Sequence, residues 1–330
     1  MGGSIGINFG QVSDELKSPD EIVDFLLRNN LKKIRLYHTY RETMRAFQGK
    51  GIELILSIPN NSLKGSGMAW EQKGADWWVQ ENIDPYICKT HISMVAVGNE
   101  VTLTGDGDLI RQTVRAMRHM RVALDKKGYD HIRVSTPLAM DILSDSWPPS
   151  AGTFKNVHAG HEFMRRLLEF LQYTRSTFLI NAYPFFSYRD NRSVINLDNA
   201  LLQPSASDVR DHKTGHAYRN LLFQQLDAVI AAMRQLGYPH LPLIISETGW
   251  PSQGRDYDFA TAVNAQIYNQ NLINIVAEGR GTPMRPGWKI EAYLFALFNE
   301  NRKGGHEIER NFGLFRPTDL SPVYGLNFLC

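Results

Sequence analysis

Two glutamates stand where apolar runs end. Glu100 closes Val97-Gly-Asn-Glu100, and Glu247 closes Ile245-Ser-Glu247 just before Thr-Gly-Trp-Pro. A carboxylate at the end of a buried strand must be paired or desolvated, so it is a poor choice for stability alone. Two of them brought to one place suit an acid set beside a nucleophile or base. The structural alternative is that each Glu caps the following helix or pairs with a surface Lys. That alternative serves one such residue better than two, each with aromatics beside it. Other polar groups occupy similar positions. One run ends Asn181-Ala-Tyr183, and another leads through Asn299, Glu300 and Lys303 to Glu307 and Glu309. Arg35 is a charge inside the apolar run Ile34-Arg-Leu-Tyr37. It either reaches a carboxylate such as Glu247 or forms an ion pair at the opposite strand end.

These residues need elements to carry them. Short β-branched or apolar runs at 4–9, 33–37, 52–58, 94–98, 132–136, 178–182, 243–246 and 290–298 read as eight strands. Amphipathic stretches at 20–28, 108–127, 218–236 and 260–277 read as helices between them. Runs such as Met94-Val-Ala-Val97 are apolar on both parities, which suits parallel strands covered on both faces. Eight alternations without a composition break predict an α/β protein built as a single (β/α)8 TIM barrel. An open doubly wound sheet is the competing architecture, but no GxGxxG follows the first strand. In a barrel, groups that end strands collect at one mouth, where catalysis sits.

Composition narrows the classes further. Hydrophobic residues make up 43% and charged residues 21% of the 330, which excludes a disordered chain. Lys and Arg number 36 against 34 Asp and Glu, so nothing points to nucleic acid or an anionic membrane. Residues 1–3 read as an expression scar ahead of a single catalytic domain at 4–330. Cys88 and Cys330 form no framework, and Cys88 is expected to be a small buried residue. His158-Ala-Gly-His161 invites a metal reading but has no third ligand in sequence, and Asp106-Gly-Asp108 lacks the rest of a calcium loop. No cofactor and no metal are expected. Two sequons, at Asn60 and Asn191, are open to glycan in a secreted protein.

Taken together, the motifs resemble the plant β-1,3-glucanases of glycoside hydrolase family 17. They are Val97-Gly-Asn-Glu-Val101, Pro148-Pro-Ser-Ala-Gly-Thr-Phe154, Asn181-Ala-Tyr-Pro-Phe-Phe186, Ser246-Glu-Thr-Gly-Trp-Pro-Ser252, Phe295-Ala-Leu-Phe-Asn-Glu-Asn301 and Glu309-Arg-Asn-Phe-Gly-Leu-Phe315. They run in the family's order along nearly the whole chain. The resemblance implies endo-hydrolysis of β-1,3-glucan with retention, which needs two carboxyls about 5–5.5 Å apart. It makes Glu100 the acid/base and Glu247 the nucleophile, with Asn99 set against a sugar 2-hydroxyl and Tyr183 hydrogen-bonded to the nucleophile. Glu300, Lys303 and Glu309 match a charged triad near the acid, and Arg35 is a candidate to keep Glu247 ionised. Aromatic faces suit sugar rings, and Tyr37, Phe186 and Trp250 are the expected platforms. The implied partner is a glucan chain, met by a secreted monomer of the cell wall or vacuole. Alternatives on the same barrel are cleavage of mixed β-1,3;1,4-glucan and glycosyl transfer. A different class is a glucan-binding protein without catalysis. His38-Thr-Tyr40 and Thr248 depart from the family pattern, as does Phe9, where a Tyr is frequent.

Overall fold

The computed structural model describes residues 2–65, 71–156 and 160–328. Nine parallel strands make one sheet. They are β1 (Ser4–Phe9), β2 (Lys33–Leu36), β3 (Glu53–Ile58), β4 (His91–Val97), β5 (Arg133–Ser135), β6 (Pro137–Ala139), β7 (Phe178–Asn181), β8 (Leu243–Thr248) and β9 (Glu291–Leu294). Their spatial order is β5-β4-β3-β2-β1-β9-β8-β7-β6. The two edges, β5 and β6, are consecutive in the chain and separated only by Thr136. The ring therefore closes through the backbone itself, and the nine pieces fill eight barrel positions. The fifth expected strand, 132–136, is found as β5, paired with β4, and a further strand outside that range, β6, follows after Thr136 and pairs with β7.

Helices pack outside this ring. Pro19–Arg28 starts at a capping box, in which the Ser18 side chain accepts from the Glu21 amide and Glu21 returns the bond. Gly107–Lys126 starts where the Asp106 carboxylate accepts from the amides of Asp108 and Leu109. The Asp106-Gly-Asp108 motif is thus a helix start. Leu221–Gln235 and Ala262–Glu278 are shorter or shifted relative to the expected 218–236 and 260–277, because Ala217–Tyr218 joins a small antiparallel ribbon and Thr261 caps the later helix. One apolar cluster fills the space between strands and helices. A second, of Ile55, Met94, Ala96, Leu179, Ile244 and Tyr293, fills the barrel interior. At the bottom, Lys33 pairs with Glu53 and Glu291 at 3.2 and 3.0 Å. Arg35 lies two residues further along β2, on the same face and one layer higher.

Cys88 is exposed, not buried as its residue type predicts, because it sits in the turn leading from Tyr86 to β4. Cys330, His158 and the His161 side chain lie outside what the structure describes. Among the described residues no helix is long and apolar enough to cross a membrane, and no group of three or more His, Cys, Asp or Glu could hold a metal ion.

Candidate active site

The mouth of the barrel opens into a cleft of about 830 Å³. Glu100 and Glu247 both line it, with Tyr37, Asn99, Asn181, Tyr183, Phe186, Glu300, Lys303 and Glu309. The sequence-chosen residues missing from its wall are Arg35 and Trp250.

Arg35 is missing because it lies beneath the floor, with no exposed surface. Its Nη1 donates to Glu247 Oε1 at 2.8 Å and to the Ser246 carbonyl at 3.2 Å. Its Nη2 donates to Asn99 Oδ1 at 2.8 Å. Two hydroxyls complete the surroundings of Glu247. Tyr37 donates to the same Oε1 at 2.6 Å, and Tyr183 donates to Oε2 at 2.9 Å. Burial, with the Glu247 charge adding to it, raises both phenols well above their ordinary range, so they remain donors. Each carboxylate oxygen has two acceptor sites. Among the described residues Oε1 is filled by two donors and Oε2 by one, which leaves one lone pair of Oε2 open. A register irregularity between Ile245 and Glu247 sets Glu247 level with Asn181 of the neighbouring strand.

Glu100 has different neighbours. Its Oε1 accepts from Asn181 Nδ2 at 2.9 Å. Asn181 is held in that orientation because its own Oδ1 accepts from the Ser246 hydroxyl at 2.6 Å. Glu100 Oε2 has no hydrogen-bond donor among the described residues. Burial first, and then the charge of Glu247, pushes the Glu100 carboxyl up to about 7, against the opposing pull of Asn181 and Arg35. A continuous chain therefore links the two carboxyls. It runs from Glu247 through Arg35, Asn99 and Asn181 to Glu100.

The backbone that presents Glu100 is strained. Glu100 has φ 49° and ψ 41°, a left-handed conformation rare for a residue with a side chain, and Gly98 before it has φ 73°. Asn60, the first residue of the short helix Asn60–Gly65 that follows β3, holds this turn by both ends of its amide. Its Oδ1 accepts from the Asn99 amide and its Nδ2 donates to the Asn99 carbonyl, each at 2.8 Å.

Glu300 is buried beside the first strand and accepts from the Val12 amide at 3.1 Å. A Cβ on Gly10 would meet its Oε1 at 2.1 Å, so glycine is required there for Glu300 to fit. Lys303 pairs with Glu309 at 3.1 Å, and its ammonium lies 4.4 Å from the Phe295 ring centroid.

Trp250 corrects the sequence expectation. It is fully buried, its indole N–H donates to the Phe259 carbonyl at 2.9 Å, and it packs among Phe185, Tyr188, Phe259 and Tyr268. It supports the loop after β8 from behind and offers no face to a ligand. Phe185 and Tyr188 are buried with it, whereas Phe295 and Phe312 join Tyr37 and Phe186 on the wall. Trp250→Ala should therefore cost about 3–5 kcal/mol in denaturant unfolding while leaving the ligand KM of the folded fraction unchanged. A raised KM without loss of stability would return Trp250 to the cleft.

Sequence reasoning gave no positioning role to Asn8 or Asn60, and it marked Asn181 as a polar strand end without assigning it one. Asn8 donates to the carbonyls of Tyr293 and Leu294, which turns its Oδ1 toward the Tyr37 hydroxyl.

Comparison with known proteins agrees with this geometry. A family model described as glycosyl hydrolases family 17 matches residues 5–328. Glucan endo-1,3-beta-glucosidase 13 of Arabidopsis thaliana is 38% identical over 99% of this chain, which spans 64% of that protein's length. Glucan endo-1,3-beta-glucosidase GII of Hordeum vulgare is 39% identical over 98% of this chain and 92% of its own. Among solved structures, a beta-1,3-glucanase and allergen of Cryptomeria japonica pollen is 43% identical, with a TM-score of 0.92 and 98% of each chain covered.

Proposed function

The chain belongs to the glycosyl hydrolases family 17, and from that premise we propose that it hydrolyses β-1,3-glucosidic bonds within glucan chains, with retention at the anomeric carbon. The observation that carries this is the unequal treatment of two carboxyls in one cleft. Glu247 receives three donors, and Glu100 receives one and is raised to about 7.

The steps follow from those contacts. Protonated Glu100 carries its hydrogen on Oε2, because Oε1 already accepts from Asn181. It gives that proton to the glycosidic oxygen as the bond to C1 breaks. The free lone pair of Glu247 Oε2 bonds to C1 and forms the glycosyl–enzyme. Glu100, now ionised, takes a proton from water, whose oxygen displaces Glu247. Asn99 spends its Oδ1 on Arg35 and Asn181, and its Nδ2 has no partner among the described residues. That N–H is available to a sugar 2-hydroxyl. Phe186 supplies an apolar face for a ring, with Phe295 and Phe312 packed behind it. Action on cell-wall glucan requires a secreted or vacuolar enzyme, and the proposal includes that setting.

Digestion of linear β-1,3-glucan beside mixed-linkage β-1,3;1,4-glucan tests it, by reducing-sugar release and product sizing. The expected result is a ladder of oligosaccharides from the linear polymer. Preferential cleavage of the mixed polymer would replace the substrate assignment, and binding without cleavage of either would overturn the enzymatic one.

A further inference from the structure

The chain holds two Asn-X-Ser sequons, Asn60-Asn-Ser62 and Asn191-Arg-Ser193, and the fold treats their amides in opposite ways. Asn60 is half-buried, and both ends of its side-chain amide grip the backbone of Asn99 at 2.8 Å. Its Oδ1 also lies 3.0 Å from where a Cβ on Gly98 would be. A sugar on this nitrogen would have to part the amide from the turn that presents Glu100. Asn191 stands just past the helix Pro184–Asp190, and the whole sequon, Asn191, Arg192 and Ser193, is exposed. Its Nδ2 spends one hydrogen on the Ser187 carbonyl at 3.1 Å, and the other faces solvent. Asn191 also lines the rim of the cleft beside Arg189 and Asp190.

We propose that Asn191 is an N-glycan acceptor, that Asn60 stays bare in active molecules, and that the glycan on Asn191 narrows one end of the cleft against long glucan chains. The second half rests on the glucanase assignment above; the first needs only passage through a glycosylating secretory route. The donor is an oligosaccharide on a lipid pyrophosphate. A bond forms between Asn191 Nδ2 and the sugar C1 as the bond from C1 to phosphate oxygen breaks. The pyrophosphate lipid leaves, and Nδ2 gives up one of its two protons. The product side chain keeps an N–H for Ser187, so the helix end is undisturbed. A branched glycan at this rim hinders a polymer that must thread past it more than a short oligosaccharide that fits within the cleft.

The test is secretion of the full chain from a eukaryotic host, with glycopeptide mass spectrometry of the active fraction. Glycan at Asn191 and none at Asn60 is the expected result. A bare Asn191, or active protein carrying glycan on Asn60, overturns the site assignment whatever the enzyme cleaves. Ser193→Ala, which alters an exposed residue outside the cleft wall, should remove the glycan. Rates on short β-1,3-oligosaccharides should then hold while rates on long glucan rise several-fold. Enzymatic release of the glycan from the wild-type protein should do the same. Equal long-chain rates with and without glycan overturn the rim effect. Activity on neither substrate refutes the glucanase assignment and leaves the occupancy result standing.

Discussion

Glu247→Gln lowers kcat on β-1,3-glucan by about 10⁴-fold or more and loses part of its stability, whereas Glu247→Ala loses the same activity and a larger part of its stability. The activity loss follows from removing the group that forms the covalent bond, an effect on the scale of deleting a catalytic nucleophile elsewhere. The stability difference follows from Arg35. Its guanidinium is fully buried, and the Glu247 carboxylate at 2.8 Å is its one ion-pair partner among the described residues. Both variants leave that charge without a counter-ion, and alanine also removes the oxygen that accepts from Arg35 and Tyr37, so alanine bears the full cost of about 3–5 kcal/mol. Glutamine keeps an oxygen in place for Arg35 Nη1 and Tyr37, so the geometry persists although the charge is lost. Chemical denaturation of both variants beside their kcat values checks this. Equal stability of the two would mean that Arg35 is held by its bonds to Ser246 and Asn99 alone. Full activity in the glutamine variant would remove Glu247 from the nucleophile role.

The same pair shows what the sequence could and could not convey. Glu100 and Glu247 were legible because a carboxylate after an apolar run is costly, and a barrel collects strand ends at one mouth. Arg35 was legible as an anomaly but not in direction. Its neighbour two residues back, Lys33, takes the ion pair at the bottom of the barrel, and only the layer spacing along β2 sends Arg35 upward to Glu247. Trp250 misled because it directly follows the nucleophile motif, and proximity in sequence does not fix which way a side chain turns. Its indole entered the core, where large aromatic area is most stabilising and the N–H finds a carbonyl. The orienting roles of Asn8, Asn60 and Asn181 were invisible for the converse reason. An uncharged amide in a strand or turn is cheap, so nothing in its type announces that it orients a catalytic group.

The positioning amides explain a feature that the two glutamates alone do not. A left-handed residue after a positive-φ glycine would be free to swing, yet Glu100 is fixed from two sides. Asn60 clamps the preceding backbone by two bonds, and Asn181 holds the carboxyl oxygen. Ser246, next to Glu247, fixes Asn181 in turn. The strand bearing Glu247 thereby also sets the orientation of Glu100, which ties the geometry of the two carboxyls together.

Glu100→Gln should give two opposite effects in one protein. On β-1,3-glucan its kcat falls by about 10²–10⁴-fold, the usual worth of a positioned general acid, and the wild-type loss of kcat/KM as pH rises through about 7 disappears from the residual rate. Its stability at pH 8 rises. The sign follows from linkage. A Glu100 raised to about 7 in the folded state binds its proton more tightly there than in the unfolded chain, where it titrates near 4.5. Below about pH 4.5 both states are protonated and the group is neutral in the balance. Between about pH 4.5 and 7 the unfolded chain releases the proton while the folded protein keeps it, so stability falls as pH rises. Above about 7 the folded protein holds an ionised Glu100 beside Glu247, at a cost of about 1–3 kcal/mol. Glutamine removes that cost and still accepts from Asn181. The variant should therefore match the wild type near pH 4.5 and exceed it at pH 8, read from urea midpoints at the two pH values. A parallel loss of stability at both would mark Glu100 as a structural residue. An unchanged alkaline limb in the surviving activity would assign the titration near 7 to another group.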